Sequence, residues 1–128
     1  MTPATLRILK KRVYSANSSA IRNGQRKKLS IEQLVEQYEK QSGSSKYPLC
    51  SYCGREMRGK MLSLDHVVPF AAGGQNEISN VMLVCSRDNR YKRALPAETY
   101  ARLLKTLKDA GLLTDFFSTY QPRRGRRW

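Results

Sequence analysis

The feature that most limits this chain is Cys50-Ser-Tyr-Cys53, answered beyond the only histidine by Cys85-Ser-Arg-Asp88. Three cysteines are an odd number for a disulfide framework, and a C-x2-C turn reads as half of a metal site. Two such turns at separated positions bring four ligands to a tetrahedral zinc ion. The second turn ends in a carboxylate, Asp88, which can ligate zinc although thiolates suit a structural site better. Asp88 has a second reading, as an acid in the first turn of a helix opposing the positive end of its dipole. Thiols kept for a metal imply a reducing compartment. The expectation is the cytoplasm of a bacterial or phage-infected cell. An organelle matrix is the alternative, because no acid precedes Glu32 in a basic, Ser-containing stretch.

A metal staple matters at this size. The chain has 128 residues, 40% of them hydrophobic, enough for one domain that gains from a structural metal. Twenty-four Lys and Arg against ten Asp and Glu leave a net charge of +14, which favours a polyanionic partner. Nucleic acid leads. A membrane surface would ask for an amphipathic basic helix with an apolar face, and no run approaches the length of a membrane span.

Periodicity lays out the remainder. Leu6, Leu9 and Val13 predict a short basic helix, and the polar run Asn17-Ser18-Ser19 with the later Asn23-Gly24 a break after it. Ser30 and Gln33 form a capping box for a helix with Ile31, Leu34, Val35 and Tyr38 on one face and Gly43 as its stop. Leu62, Leu64 and Val67 alternate around Ser63 and His66 as in a half-buried strand that Pro69 ends. Gly73-Gly74 reads as a flexible turn, and Val81 to Val84 as a second short strand. Ser86 would cap a helix carrying Asn89, Lys92 and Leu95, and a last helix starts near Pro96 with Tyr100, Leu103, Leu104 and Leu107 on one face. The expected class is α+β, with a basic arm at 1–29, a domain at 30–113 whose motifs fall at 49–95, and a basic tail at 114–128.

The chemistry concentrates between the two cysteine turns. A hard divalent cation such as Mg2+ prefers oxygen donors and keeps several waters, so one carboxylate and one amide oxygen can hold it. Neutral imidazole can take a proton from water, which Lys and Arg cannot readily do. Asp65, His66 and Asn89 supply a carboxylate, a base and an amide oxygen, with Asn80 as a further amide.

Leu64-Asp65-His66-Val67-Val68-Pro69, Gly73-Gly74, Ser79-Asn80-Val81 and Cys85-Ser-Arg-Asp88-Asn89-Arg90-Tyr91-Lys92, together with the first cysteine turn, resemble the HNH endonuclease family, also called the ββα-metal or His-Me finger fold. The resemblance implies a two-stranded antiparallel hairpin plus a helix, a zinc knuckle at Cys50, Cys53, Cys85 and Asp88, and additional flanking helices. It implies His66 as general base and Asp65 and Asn89 as ligands of a catalytic Mg2+ or Mn2+. Asn80 would fix the His66 ring and the loop that bears it. Asp88 departs from the family pattern, which expects a cysteine there. A DNA endonuclease of phage or mobile-element type follows as the expectation, acting on double-stranded DNA as monomer or homodimer. A zinc-stabilised DNA-binding protein without cleavage is the alternative, and an RNA-binding structural protein is a third reading carried by charge alone. Arg22, Arg26, Lys27 and Lys28, then Arg87, Arg90, Lys92 and Arg93, and finally Arg123, Arg124, Arg126 and Arg127 are the expected phosphate contacts. For each group a solvated surface remains the other reading. Tyr91 and Trp128 are candidates for stacking on bases.

Overall fold

Two five-residue strands form the centre of the computed structural model, which describes residues 1–119. Strands β1 (Leu62–His66) and β2 (Val81–Cys85) run antiparallel, with Leu62 opposite Cys85, Leu64 opposite Leu83 and His66 opposite Val81. Helix α3 (Ser86–Lys92) follows β2 directly, giving a ββα unit. With the flanking helices α1 (Pro3–Arg22), α2 (Ile31–Ser42), α4 (Ala97–Asp109) and α5 (Leu113–Thr119), the chain is α+β, as expected. Among the described residues no helix is long and apolar enough to cross a membrane.

The strand period and the helix period meet at β1 and α3. Residues two apart on a strand share a face, and residues three apart on a helix are neighbours. Ser63 therefore meets Asn89, whose Nδ2 donates to the Ser63 hydroxyl at 2.9 Å, while Asp65 meets Lys92 at 3.0 Å. Both strand residues are buried, so β1 is covered on its polar face as well as its apolar one. The half-buried strand expected from alternation is corrected on that point. Val67 lies past the strand end at His66, its N–H donating to the Asn80 carbonyl at 2.9 Å.

Helix α1 extends further than its sequence suggests. It runs for 20 residues through Asn17-Ser18-Ser19, stops at the Asn23-Gly24 pair that was the later part of the expected break, and buries Leu9, Val13, Ala16 and Ala20. Asn17 does not interrupt it because its side chain closes a pair of hydrogen bonds with the Leu29 backbone, donating to the carbonyl at 3.0 Å and accepting at 2.8 Å. Leu9 and Val13 join Leu34, Met57, Leu62, Leu83 and Val84 in one core. Leu9, Leu34 and Leu83 are fully buried, and burial of that kind stabilises by roughly 1.5–3 kcal/mol per side chain.

Helix α2 keeps its capping box, with Ser30 and Gln33 exchanging hydrogen bonds, and turns out at Gly43 with φ +54°. Its Gln41 side chain covers the outer edge of β2, accepting from Leu83 N–H at 2.7 Å and donating to Leu83 carbonyl at 2.9 Å. An amide so placed stands in for a third strand and closes an edge open to unwanted pairing. At α3 the cap is the Cys85 sulfur, which accepts from Asp88 N–H, whereas Ser86 donates to the Lys60 carbonyl. Leu95 falls outside α3, which ends at Lys92 before Arg93 takes φ 52°. Tyr100 is the buried anchor of α4, and α5, which periodicity did not suggest, sets Phe116 and Phe117 against Tyr91 with ring centres 5.3 and 4.9 Å away.

Candidate active site and metal cluster

The two cysteine turns converge. The donor atoms of Cys50, Cys53, Cys85 and Asp88 all lie within 4.8 Å of one another, and Cys50, Cys85 and Asp88 are buried. Asp88 Oδ2 stands 3.3 Å from Cys50 Sγ and 3.2 Å from Cys85 Sγ, and the Cys53 and Cys85 sulfurs are 3.8 Å apart. Tetrahedral bonds of the zinc–thiolate length put donors about 3.8 Å apart, so the spacing fits an ion at the centre. The donor set could hold a metal such as zinc. The other carboxylate oxygen of Asp88 accepts from the Tyr100 hydroxyl at 2.8 Å, which aims Oδ2 at the sulfurs. A hydrogen bond from Cys50 holds the Cys85 thiol down at about 6, against the opposing pull of burial, and pushes Cys50 upward. The Arg55 guanidinium lies 3.4 Å from both Cys53 and Cys85 and favours the thiolate form of Cys85.

At the other end of the hairpin, an open cleft of about 550 Å³ is lined by Asp65, His66, Asn89, Arg90 and Arg93, with Phe70 from the following loop and Ser19 and Asn23 from α1. His66 and Asn89 also front an adjoining hollow of about 290 Å³ with Arg12 and Ser15. The strand ends at His66, so two consecutive residues that alternation would send to opposite faces border one cleft.

His66 is held from two sides. Its Nε2 lies 3.0 Å from Asn76 Oδ1, and Phe70 packs on the ring with centroids 4.5 Å apart. Asn80, expected to fix both ring and loop, contacts only the loop in its hydrogen bonds: Oδ1 accepts from Val68 N–H, and Nδ2 donates to the Val68 and Gln75 carbonyls at 2.9 and 3.0 Å. Asn76 holds the ring instead. Sequence reading missed it because it falls in a loop outside the motif residues. Gly74 explains why the loop closes so tightly. A Cβ there would sit 1.7 Å from the Val68 carbonyl oxygen and 3.0 Å from Asn80 Nδ2. The pair read as a flexible turn is thus half turn (Gly73, φ +88°) and half close contact.

Asp65 is buried, with Oδ1 3.0 Å from Lys92 Nζ and Oδ2 accepting from the Tyr52 hydroxyl at 3.1 Å. Burial pushes its carboxyl above the usual range; the Lys92 ammonium and the Tyr52 hydroxyl pull it back only in part. Tyr52 is pushed up as well, by burial and then by the Asp65 charge, so it stays a donor. Each carboxylate oxygen has two lone pairs and one protein donor, so Asp65 keeps capacity for a cation. Asn89 spends its Nδ2 on Ser63, which leaves the carbonyl oxygen for a ligand. The pair fits a hard divalent ion, with the Lys92 charge as its competitor.

The basic residues separate by environment. Arg22, Arg26, Lys27, Lys28 and Arg90 are exposed, Lys27 in an ion pair with Glu77 at 2.8 Å. Lys92, expected to reach a phosphate, is only 1% exposed and neutralises Asp65. Arg87 stacks its guanidinium 3.8 Å from the Phe117 ring centre, beside the Asp88 carboxylate at 3.9 Å. Tyr91 is 2% exposed with its hydroxyl on the Phe117 carbonyl, so it is not placed to stack on a base. Arg123, Arg124, Arg126, Arg127 and Trp128 lie outside the described residues.

Residues 50–94 match the family model described as HNH endonuclease, and this segment belongs to that family. An HNH domain points to a nuclease-type or DNA-binding function. No curated protein matches the chain.

Proposed function

We propose that the chain is a metal-dependent DNA endonuclease that hydrolyses phosphodiester bonds in double-stranded DNA, of the phage or mobile-element type. The observation that carries this reading is that Asp65, His66 and Asn89 border a single open cleft also lined by Arg90 and Arg93. His66 takes a proton from water at the ring nitrogen not engaged with Asn76, and the resulting hydroxide attacks phosphorus in line with the departing 3′ oxygen. Asp65 and Asn89 hold Mg2+ or Mn2+, which when bound supplies positive charge for the phosphorane and the leaving oxygen. Asn80 and Gly74 keep the loop after His66 in one shape. Cys50, Cys53, Cys85 and Asp88 hold a structural Zn2+. Arg90 and Arg93 grip flanking phosphates, helped by Arg22, Arg26 and Lys28.

One observation favours a second reading, a zinc-stabilised DNA-binding protein without cleavage. The Asp65 carboxylate is already neutralised by a buried lysine, as a non-catalytic site could tolerate. Incubation of supercoiled plasmid with the protein and Mg2+ or Mn2+, with EDTA as control, separates the two. Nicking or cleavage that His66→Ala removes while DNA binding survives is the expected result. Equal loss of binding and cleavage would make His66 structural, and no cleavage with either ion would leave the binding module.

A further inference from the structure

The geometry points to Asn76, held in turn by Asn17, as the positioning device that decides which nitrogen of His66 carries the proton; this deepens the nuclease reading and rests on it. The donors and acceptors around the ring form a chain with one solution. Asn17 donates through Nδ2 to the Leu29 carbonyl and accepts through Oδ1 from the Leu29 N–H, so its amide cannot be turned round. Its Oδ1, an acceptor only, lies 2.9 Å from the Asn76 side chain, which must therefore present its nitrogen. That same nitrogen also donates to the Lys27 carbonyl at 2.9 Å, which commits both of its hydrogens. Only Oδ1 of Asn76 is left to face His66 Nε2 at 3.0 Å, and a carbonyl oxygen can only accept. Nε2 carries the hydrogen, and Nδ1 is the bare nitrogen available to a water.

Burial makes the arrangement rigid. Asn76 is fully buried, and its backbone N–H donates to Gln25 Oε1 at 2.8 Å while Gln25 Nε2 donates to the Gly74 carbonyl at 2.6 Å. Asn17, Gln25 and Lys27 all precede the segment that matches the family model. The N-terminal stretch read as a DNA-contacting arm thus reaches the base through two amides.

The chain has one histidine, so nitrogen NMR of its imidazole reads this site alone. The full zinc-loaded chain, at a pH where the ring is neutral, should show a single tautomer with hydrogen on Nε2, protected from exchange with water. Asn17→Ala should give a mixture of tautomers and lower the turnover of plasmid cleavage by about ten- to a hundredfold, with the half-saturating plasmid concentration little changed. Asn76→Ala should do the same more completely, with circular dichroism and zinc content reporting that the fold persists. Hydrogen on Nδ1 in the unaltered chain, or an Nε2 proton exchanging as freely as in a peptide, overturns the proposal without need of any variant. Cleavage by a chain protonated on Nδ1 would sink the relay and spare the nuclease. A protected Nε2 hydrogen in a chain that never cleaves would support the relay's geometry and remove the reaction it serves.

Discussion

The cysteine cluster and the histidine cleft occupy opposite ends of one hairpin, yet they are built on contrary rules. Cys85 pairs with Leu62 at one end and His66 with Val81 at the other, four residue steps or about 13 Å along the strand. The cluster is closed, its four donors facing one another and three of them buried. The cleft is open, and its donors are each tied to protein partners that leave one face free. Closed four-donor sites serve structure, and sites with a vacant position serve chemistry. The two are nonetheless joined. Tyr52, inside the first cysteine turn, donates to Asp65, and its ring meets Tyr100 edge-on at 5.0 Å and 84° while Tyr100 donates to Asp88. A disturbance at the cluster is therefore transmitted to the cleft, whereas removal of the base should not reach the cluster.

Zinc removal should produce the largest effect. Structural zinc sites contribute apparent folding energies of about 10–16 kcal/mol, comparable to the whole stability of a domain. A chelator selective for zinc over magnesium should abolish cooperative melting and cleavage together. A chain that releases zinc and melts unchanged would erase the distinction between the two ends. His66→Ala comes next, with cleavage falling by roughly 10²–10⁴-fold while zinc content and melting stay close to the original. A large drop in melting temperature would place the histidine among the structural residues.

Lys92→Met tests the boundary between the two rules, since Lys92 is a buried ion facing the open site. Removing one partner of a buried pair leaves an uncompensated charge, at a cost of about 3–5 kcal/mol. Melting should fall accordingly, and added Mg2+ should restore part of the loss, because a cation held by Asp65 replaces the missing one. Stability equal to the original would mean that the pair does not hold Asp65 in place.

What was legible in the sequence follows the same division. The cluster could be read because thiols at fixed spacing have few other uses, and Cys50, Cys53, Cys85 and Asp88 do meet. The two strands, the Ser30 capping box and the start of α4 could be read because each obeys a local rule. Lys92 could not, since a lysine reads as surface until an acid such as Asp65 is known to lie beneath it. The Asn17–Asn76–His66 connection was out of reach for a related reason. Its hydrogen bonds span 59 and 10 residues, and amides in polar stretches look like loop material. Asn17 in particular sits in a polar run that reads as a helix break, where the Leu29 backbone turns it into a tie.

The smallest effect compares two arginines three residues apart on α3. Arg90 is exposed and lines the cleft, while Arg87 is spread over Phe117 beside Asp88 on the cluster side. A side chain that neutralises a phosphate releases counterions, so its loss lowers the log–log salt slope of DNA binding by about 1. Arg90→Gln should show that decrease with melting unchanged. Arg87→Gln should leave the slope alone and lower the melting temperature, because what it loses is a ring contact and a neighbour for a buried carboxylate. The reverse pattern would mean that DNA lies across the cluster end of the hairpin, and the open cleft would lose its claim to the scissile phosphate.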